Sequence, residues 1–169
     1  MRDEKNALYI PGEKALKFGY FTVTRRFFNR PWAPRYSARH YICRALDVVA
    51  HEMGHDILDG LQPGWMAATS PPQTRALHES FGDLTAMFLM LTQLDLVEFL
   101  IAETKADLFG PNFCNQLANQ FGAEALYQES LRNAYNEDKL SRFSEQPDNK
   151  VNVHDLSQVG VRVLFLLRR

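Results

Sequence analysis

The chain has 169 residues, 46% of them hydrophobic, and its 19 basic and 20 acidic side chains leave a formal charge of −1. That size and apolar content suit one ordinary core, so a single domain over residues 1–169 is expected. The even charge balance argues against a nucleic-acid or anionic-membrane partner, and no segment approaches the roughly 18 uninterrupted apolar residues of a membrane span.

From the N-terminus, Met1 to Asn6 lacks the apolar stretch of a signal peptide, which leaves the compartment open between secreted and cytoplasmic. Leu8 to Val23 reads as a short strand region punctuated by Pro11, Gly12 and Gly19, followed by a loop carrying Pro31 and Pro34. Arg25, Arg26, Arg30, Arg35 and Arg39 read as a solvated face. Helices dominate afterwards, over Ser37 to Leu58, Thr74 to about Thr92, and Leu94 to about Leu108. Apolar residues at Phe113, Leu117, Phe121, Ala125 and Leu126 continue that spacing through Phe113 to Tyr135. Ser141 to Lys150 is a polar loop, and the apolar stretch Val159 to Arg169 reads as an element awaiting a partner or, alternatively, a strand. Cys43 and Cys114 have no metal-ligand spacing to each other and read as packed or free thiols. The fold class is α+β, mostly helical.

The chemistry concentrates in His51-Glu52-Met53-Gly54-His55. Four residues of helix advance about 400°, so both imidazoles leave one face about one turn apart and one metal ion can take both. Glu52 lies about 100° around from His51, poorly placed as a further ligand but well placed to move a proton of metal-activated water. Such a motif arises by chance in on the order of one such chain in a hundred, and two histidines packed in a core helix are the alternative. The apolar flanks Ala45 to Ala50 and Ile57-Leu58 suit a buried site helix. Gly54 costs that helix roughly 1 kcal/mol relative to Ala, which points to close packing at that position.

A third ligand must come from elsewhere. Leu58 and Leu61 stand where one large group of zinc proteases carries Gly and a further His, which excludes that group. Glu79 and Asp83, spaced i, i+4 among the apolar Leu77, Phe81, Leu84 and Met87, fall on one helix face. Glu79 completes a His₂Glu zinc tripod with an open fourth position, and Asp83 is suited to hold a ligand imidazole by its other ring nitrogen.

On these residues the chain resembles the thermolysin-like gluzincins, a family of zinc metallopeptidases. Asp47 to Glu52 resembles the family's active-site helix, and Glu79 to Asp83 its Glu-x-x-x-Asp third-ligand helix. Asn6-Ala7-Leu8-Tyr9 resembles the edge strand that holds substrate backbone, and Leu131-Arg132 the Leu-Arg pair lining the cleft. Asp148-Asn149 with Val153-His154 and Ser157 is similar to the elements that carry the transition-state histidine and its orienting Asp. The resemblance implies a zincin-like core with a short N-terminal β region and an active-site helix packed on the third-ligand helix. It also implies a form lacking most of the family's N-terminal sheet and C-terminal helical subdomain, which leaves room for a partner subunit or the missing subdomain.

The implied activity is zinc-dependent endopeptidase hydrolysis of a peptide or protein substrate. Glu52 serves as base and His154, oriented by Asp148, as oxyanion donor. Asn6, Ala7 and Arg132 grip the substrate main chain, while Val48 and Leu131 line a pocket for a bulky apolar residue. Three departures stand out: no tyrosine lies between Leu61 and Glu79, one extra residue separates Asp148 from His154, and the family's calcium-binding acidic cluster is missing from Met87 to Leu94. No structural calcium is expected there. The alternative is a catalytically inactive zinc- or peptide-binding module, or an incomplete fragment of a larger metallopeptidase.

Overall fold

The computed structural model describes residues 4–26, 34–108, 110, 112–117, 132–134, 136–137, 139–144 and 146–166. It is α+β. Strands β1 (Ala7–Ile10) and β2 (Ala15–Phe18) form an antiparallel hairpin with Ala7 opposite Phe18. Its turn, residues 11–14, closes through Lys14 at φ 46°, and Gly19 N–H donates to the Asn6 carbonyl, which extends the pairing by one step. Strands β3 (Tyr20–Arg26) and β4 (Arg35–Tyr41) form a second antiparallel pair running from Tyr20 opposite Tyr41 to Arg26 opposite Arg35.

Strand β4 corrects the helix expected to begin at Ser37. The chain passes through a 3₁₀ turn, Ile42–Arg44, and helix α1 starts only at Leu46, ending at Leu61. Along β4, Ala38 and His40 are half-buried while Ser37, Arg39 and Tyr41 are exposed, the period-2 pattern of a strand. Cross-strand pairing holds it: the Thr24 and Ser37 hydroxyls lie 2.8 Å apart, and the His40 ring stacks on Phe21 with centroids 5.5 Å apart.

Helix α2 (Pro72–Met90) starts with proline in its first turn, where the missing N–H costs nothing. Helix α3 (Leu94–Thr104) ends through Lys105 and Ala106 at φ 53° and 65°, earlier than expected. The helix expected over Phe113 to Tyr135 is replaced at both described ends by strand. Gln116–Leu117, strand β5, pairs with Arg132–Asn133, strand β6, and residues 118–131 lie outside the described part. The Asn112 side-chain oxygen accepts from the backbone N–H groups of Cys114 and Asn115, a local turn that competes with helix. The expected polar loop contains a short helix α4 (Ser141–Ser144) and a 3₁₀ turn, Asp148–Lys150. As far as Leu166 the apolar C-terminal stretch is neither strand nor partnerless: it belongs to helix α5 (Val153–Leu166), with Leu156 and Val161 buried, and residues 167–169 lie outside the described part. Cys43 is exposed and Cys114 buried, and no disulfide joins them. Among the described residues no single helix is long and apolar enough to cross a membrane.

Two close approaches set the helix arrangement. A Cβ placed on Gly54 of α1 would lie 2.8 Å from Gly82 Cα of α2, and one on Gly82 would lie 2.9 Å from the His51 ring. The two helices therefore cross backbone against backbone. On the far side of α2, a Cβ on Gly160 would lie 2.7 Å from Ser80 Oγ, and that hydroxyl donates to the Ser157 carbonyl at 2.8 Å. Helix α5 is thereby fixed on α2, with Ala76, Phe143 and Leu156 in one apolar cluster and Ala86, Met87 and Val161 in another. Strand β1 is tied to α1 by the buried Tyr9 hydroxyl, which donates to Asp59 Oδ2 at 3.0 Å.

Replacing Gly54 by Ala adds helix propensity but forces the crossing apart. The expected outcome is a loss of about 1–3 kcal/mol in urea unfolding, against the roughly 1 kcal/mol gain that propensity alone predicts. A more stable variant would show that the helices part without cost.

Candidate metal centre

Helix α1 carries His51, His55 and Asp59 at successive four-residue steps, so they form one row along its inner face. The Gly54–Gly82 crossing presses that row against α2, where Glu79 and Asp83 repeat the same spacing. One ligand atom from each of His51, His55 and Glu79 lies within 4.8 Å of the other two, a group able to hold a metal ion. Glu79 spans both histidines: Oε2 lies 3.5 Å from His51 Nε2 and Oε1 lies 3.6 Å from His55 Nε2.

Each ligand is held from behind. Asp83 Oδ1, fully buried, lies 2.9 Å from His51 Nδ1, the arrangement expected of that carboxylate. His55 Nδ1 meets His78 Nδ1 at 2.8 Å, and Glu79 Oε2 accepts from His154 Nδ1 at 3.0 Å. His78 was not legible as a site residue. It precedes Glu79 by one position, about 100° off the ligand face of an isolated helix, and only the docking of α1 gives it a partner. Its adjacency to a ligand was the only available signal.

The protonation states follow from this packing. Burial alone would lower His51, but the Asp83 and Glu79 carboxylates overcome it and raise its pKa to about 10. Burial, reinforced by the neighbouring His51 charge, lowers His55 to about 3. Burial likewise lowers His78. For Glu79, burial works against the charge, yet its contacts with His154 and His51 hold the carboxyl well below the usual range. A neutral His55 and an anionic Glu79 are already in ligand form, while His51 must give up a proton. The donor set, two imidazole nitrogens and a carboxylate oxygen, fits a divalent transition metal.

The remaining expected residues are distributed unevenly. Glu52 is buried in α1 between the two histidines in sequence. His154, the second residue of α5, is half-exposed and reaches Glu79, whereas Asp148 sits exposed in the 3₁₀ turn before it. The described contact of His154 Nδ1 is thus with the ligand carboxylate rather than with Asp148, because Ser157 and Gly160 seat α5 directly on α2. Val48 is taken up by an apolar cluster with Phe21 and Ile42, against which Ala7 also packs, so the core rather than an open pocket accounts for its side chain. Asn6 is exposed at the entry to β1. Arg132 contributes backbone to β6, and Leu131 lies outside the described residues.

Compared with known proteins, the chain matches no family model, no curated protein and no solved structure.

In the metal-free protein, His51 stabilises the fold fully below about pH 6.5, and this contribution is lost as pH rises through about 10. His55 has the opposite sign: its contribution is present above about pH 6.5 and lost as pH falls through about 3. The metal-free melting temperature is therefore expected to fall between pH 6.5 and 9, while the increment from added zinc grows, because binding removes the His51 proton. A zinc increment independent of pH would remove His51 from the ligand set.

Proposed function

We propose that the chain is a zinc-dependent endopeptidase with a thermolysin-like gluzincin core, in which His51, His55 and Glu79 hold the ion and Glu52 is the general base. The observation that carries this reading is the convergence of the three ligand atoms within 4.8 Å, with Glu52 buried on the same helix as both histidines. A zinc ion held by such a set lowers the pKa of water from 15.7 to about 7 and polarises a carbonyl oxygen.

The chain's own residues handle the protons. Glu52 accepts one from the attacking water and delivers it to the departing amine, which needs a carboxylate shielded from bulk solvent; its burial supplies this. Glu79, kept anionic by its histidine neighbours, remains a ligand throughout rather than a competing base. His154 is the donor to the developing oxyanion. Its Nδ1 is engaged by Glu79, so Nε2 is the nitrogen proposed to face the oxyanion. Such a donor contributes about 3 kcal/mol. The substrate main chain runs along β1 near Asn6 and Ala7, and Arg132 is the partner proposed for its carbonyls. Asp148 retains at most a role in placing the turn that leads into α5.

The test is cleavage of a broad peptide mixture by the purified, zinc-loaded chain beside Glu52→Gln, with products identified by mass. The wild type is expected to cut within peptides, and the variant to keep its zinc and cut none. A variant that loses zinc would make Glu52 a ligand. No cutting by a folded, zinc-binding wild type would assign the chain to the metal- or peptide-binding modules instead. Separately, His154→Ala is expected to lower kcat by about 10²–10³ with zinc retained, and unchanged turnover would remove His154 from the mechanism.

A further inference from the structure

Two imidazole nitrogens 2.8 Å apart, His55 Nδ1 and His78 Nδ1, share one hydrogen bond, so one of them is protonated and the other bare. Both rings are buried, at 3% and 1% exposure, which leaves no solvent to exchange partners with. The other nitrogen of His55, Nε2, faces Glu79 Oε1 and belongs to the metal-binding group. A ligating nitrogen must be bare, and a neutral imidazole with a bare Nε2 carries its proton on Nδ1. Were His78 the donor, the His55 proton would sit on Nε2 and block the metal.

We infer that His78 is a positioning residue of the metal centre, its Nδ1 accepting the Nδ1–H of His55 and so presenting the bare Nε2 of His55 to the ion. The inference rests on the metal-centre reading above. It gives the two ligand histidines different supports: a carboxylate, Asp83, behind His51 and a neutral imidazole behind His55. A second carboxylate at position 78 would place another buried negative charge beside Glu79, whereas an imidazole orients the ring without adding charge. With Nδ1 accepting, the proton of His78 sits on Nε2. That atom has no hydrogen-bond partner among the described residues, and a buried polar atom left in that state is costly. Packing alone would be served as well by an apolar side chain. The one hydrogen bond described for this ring is made by its other nitrogen, the one that meets His55.

The experiment measures zinc affinity of the purified full chain by competition with a chromophoric chelator, for wild type, His78→Leu and His78→Asn. Leucine approximates the volume but offers no acceptor. Asparagine places an acceptor oxygen on Cγ, where histidine carries Nδ1. The expected result is a loss of about 10- to 100-fold with leucine and recovery to within about threefold of wild type with asparagine. Melting of the metal-free proteins verifies folding, and His78→Ala serves the same comparison if the leucine variant does not fold. Zinc bound as tightly by the leucine or alanine variant as by wild type overturns the inference alone. Asparagine as weak as leucine would also overturn it, by showing that ring packing rather than the acceptor matters. A wild type that binds no zinc would overturn the metal-centre reading and this inference together.

Discussion

The close crossing of α1 and α2 at Gly54 and Gly82 is the constraint on which the site depends. A methyl group on either residue would meet backbone or the His51 ring at 2.8–2.9 Å, so a β-carbon at this point would move one row of polar side chains off the other. Neither helix holds a site by itself. His51 and His55 have the spacing of a bidentate pair, and Glu79 and Asp83 that of a ligand and its neighbour, but every contact between them crosses the glycine seam. The propensity lost by placing glycine in both helices, roughly 1 kcal/mol each, is small beside the packing it permits.

Charge explains how so polar a cluster survives burial. Glu79 and Asp83 are both largely withdrawn from water, and the positive side of His51 lies between them. In the metal-free protein the His51 proton stands in for part of the charge a metal ion would bring. His55, beside His51 and backed by the neutral His78, stays uncharged. The centre thus divides into a half that carries charge and a half that avoids it. Helix α5 adds His154 as another donor to Glu79, so the carboxylate is held both by His51 of α1 and by His154 of α5. The seating of α5 depends in turn on Gly160 and on the hydroxyl of Ser80, one residue after Glu79.

The sequence was legible where function and secondary structure share a period. His51 and His55, or Glu79 and Asp83, at i, i+4 announce both a helix and a common face, and both faces are found as expected. The same signal misled where periodicity was short or ambiguous. The helix expected from Ser37 is a strand up to Tyr41, alternating in burial from Ser37 onward, because a strand of seven residues is defined by its partner, and β3 lies earlier in the chain. Phe113 to Tyr135 showed helical spacing, but side-chain bonds from Asn112 commit its start to a turn that apolar spacing does not register.

By itself, the order of residues determined the candidate ligand types, their pairing on two helices and the acid beside the histidine pair, since these need only the 3.6-residue helical repeat. It also marked Gly54 as a place of close approach. Tertiary structure decided which faces meet and at what distance. Docking made His78 the partner of His55, turned His154 to Glu79 rather than to Asp148, and drew Val48 into the core with Phe21 and Ile42. Those outcomes depend on how helices lie across one another. A few ångströms of backbone separation, set here by two glycines without side chains, selects among contacts that sequence spacing leaves equally open.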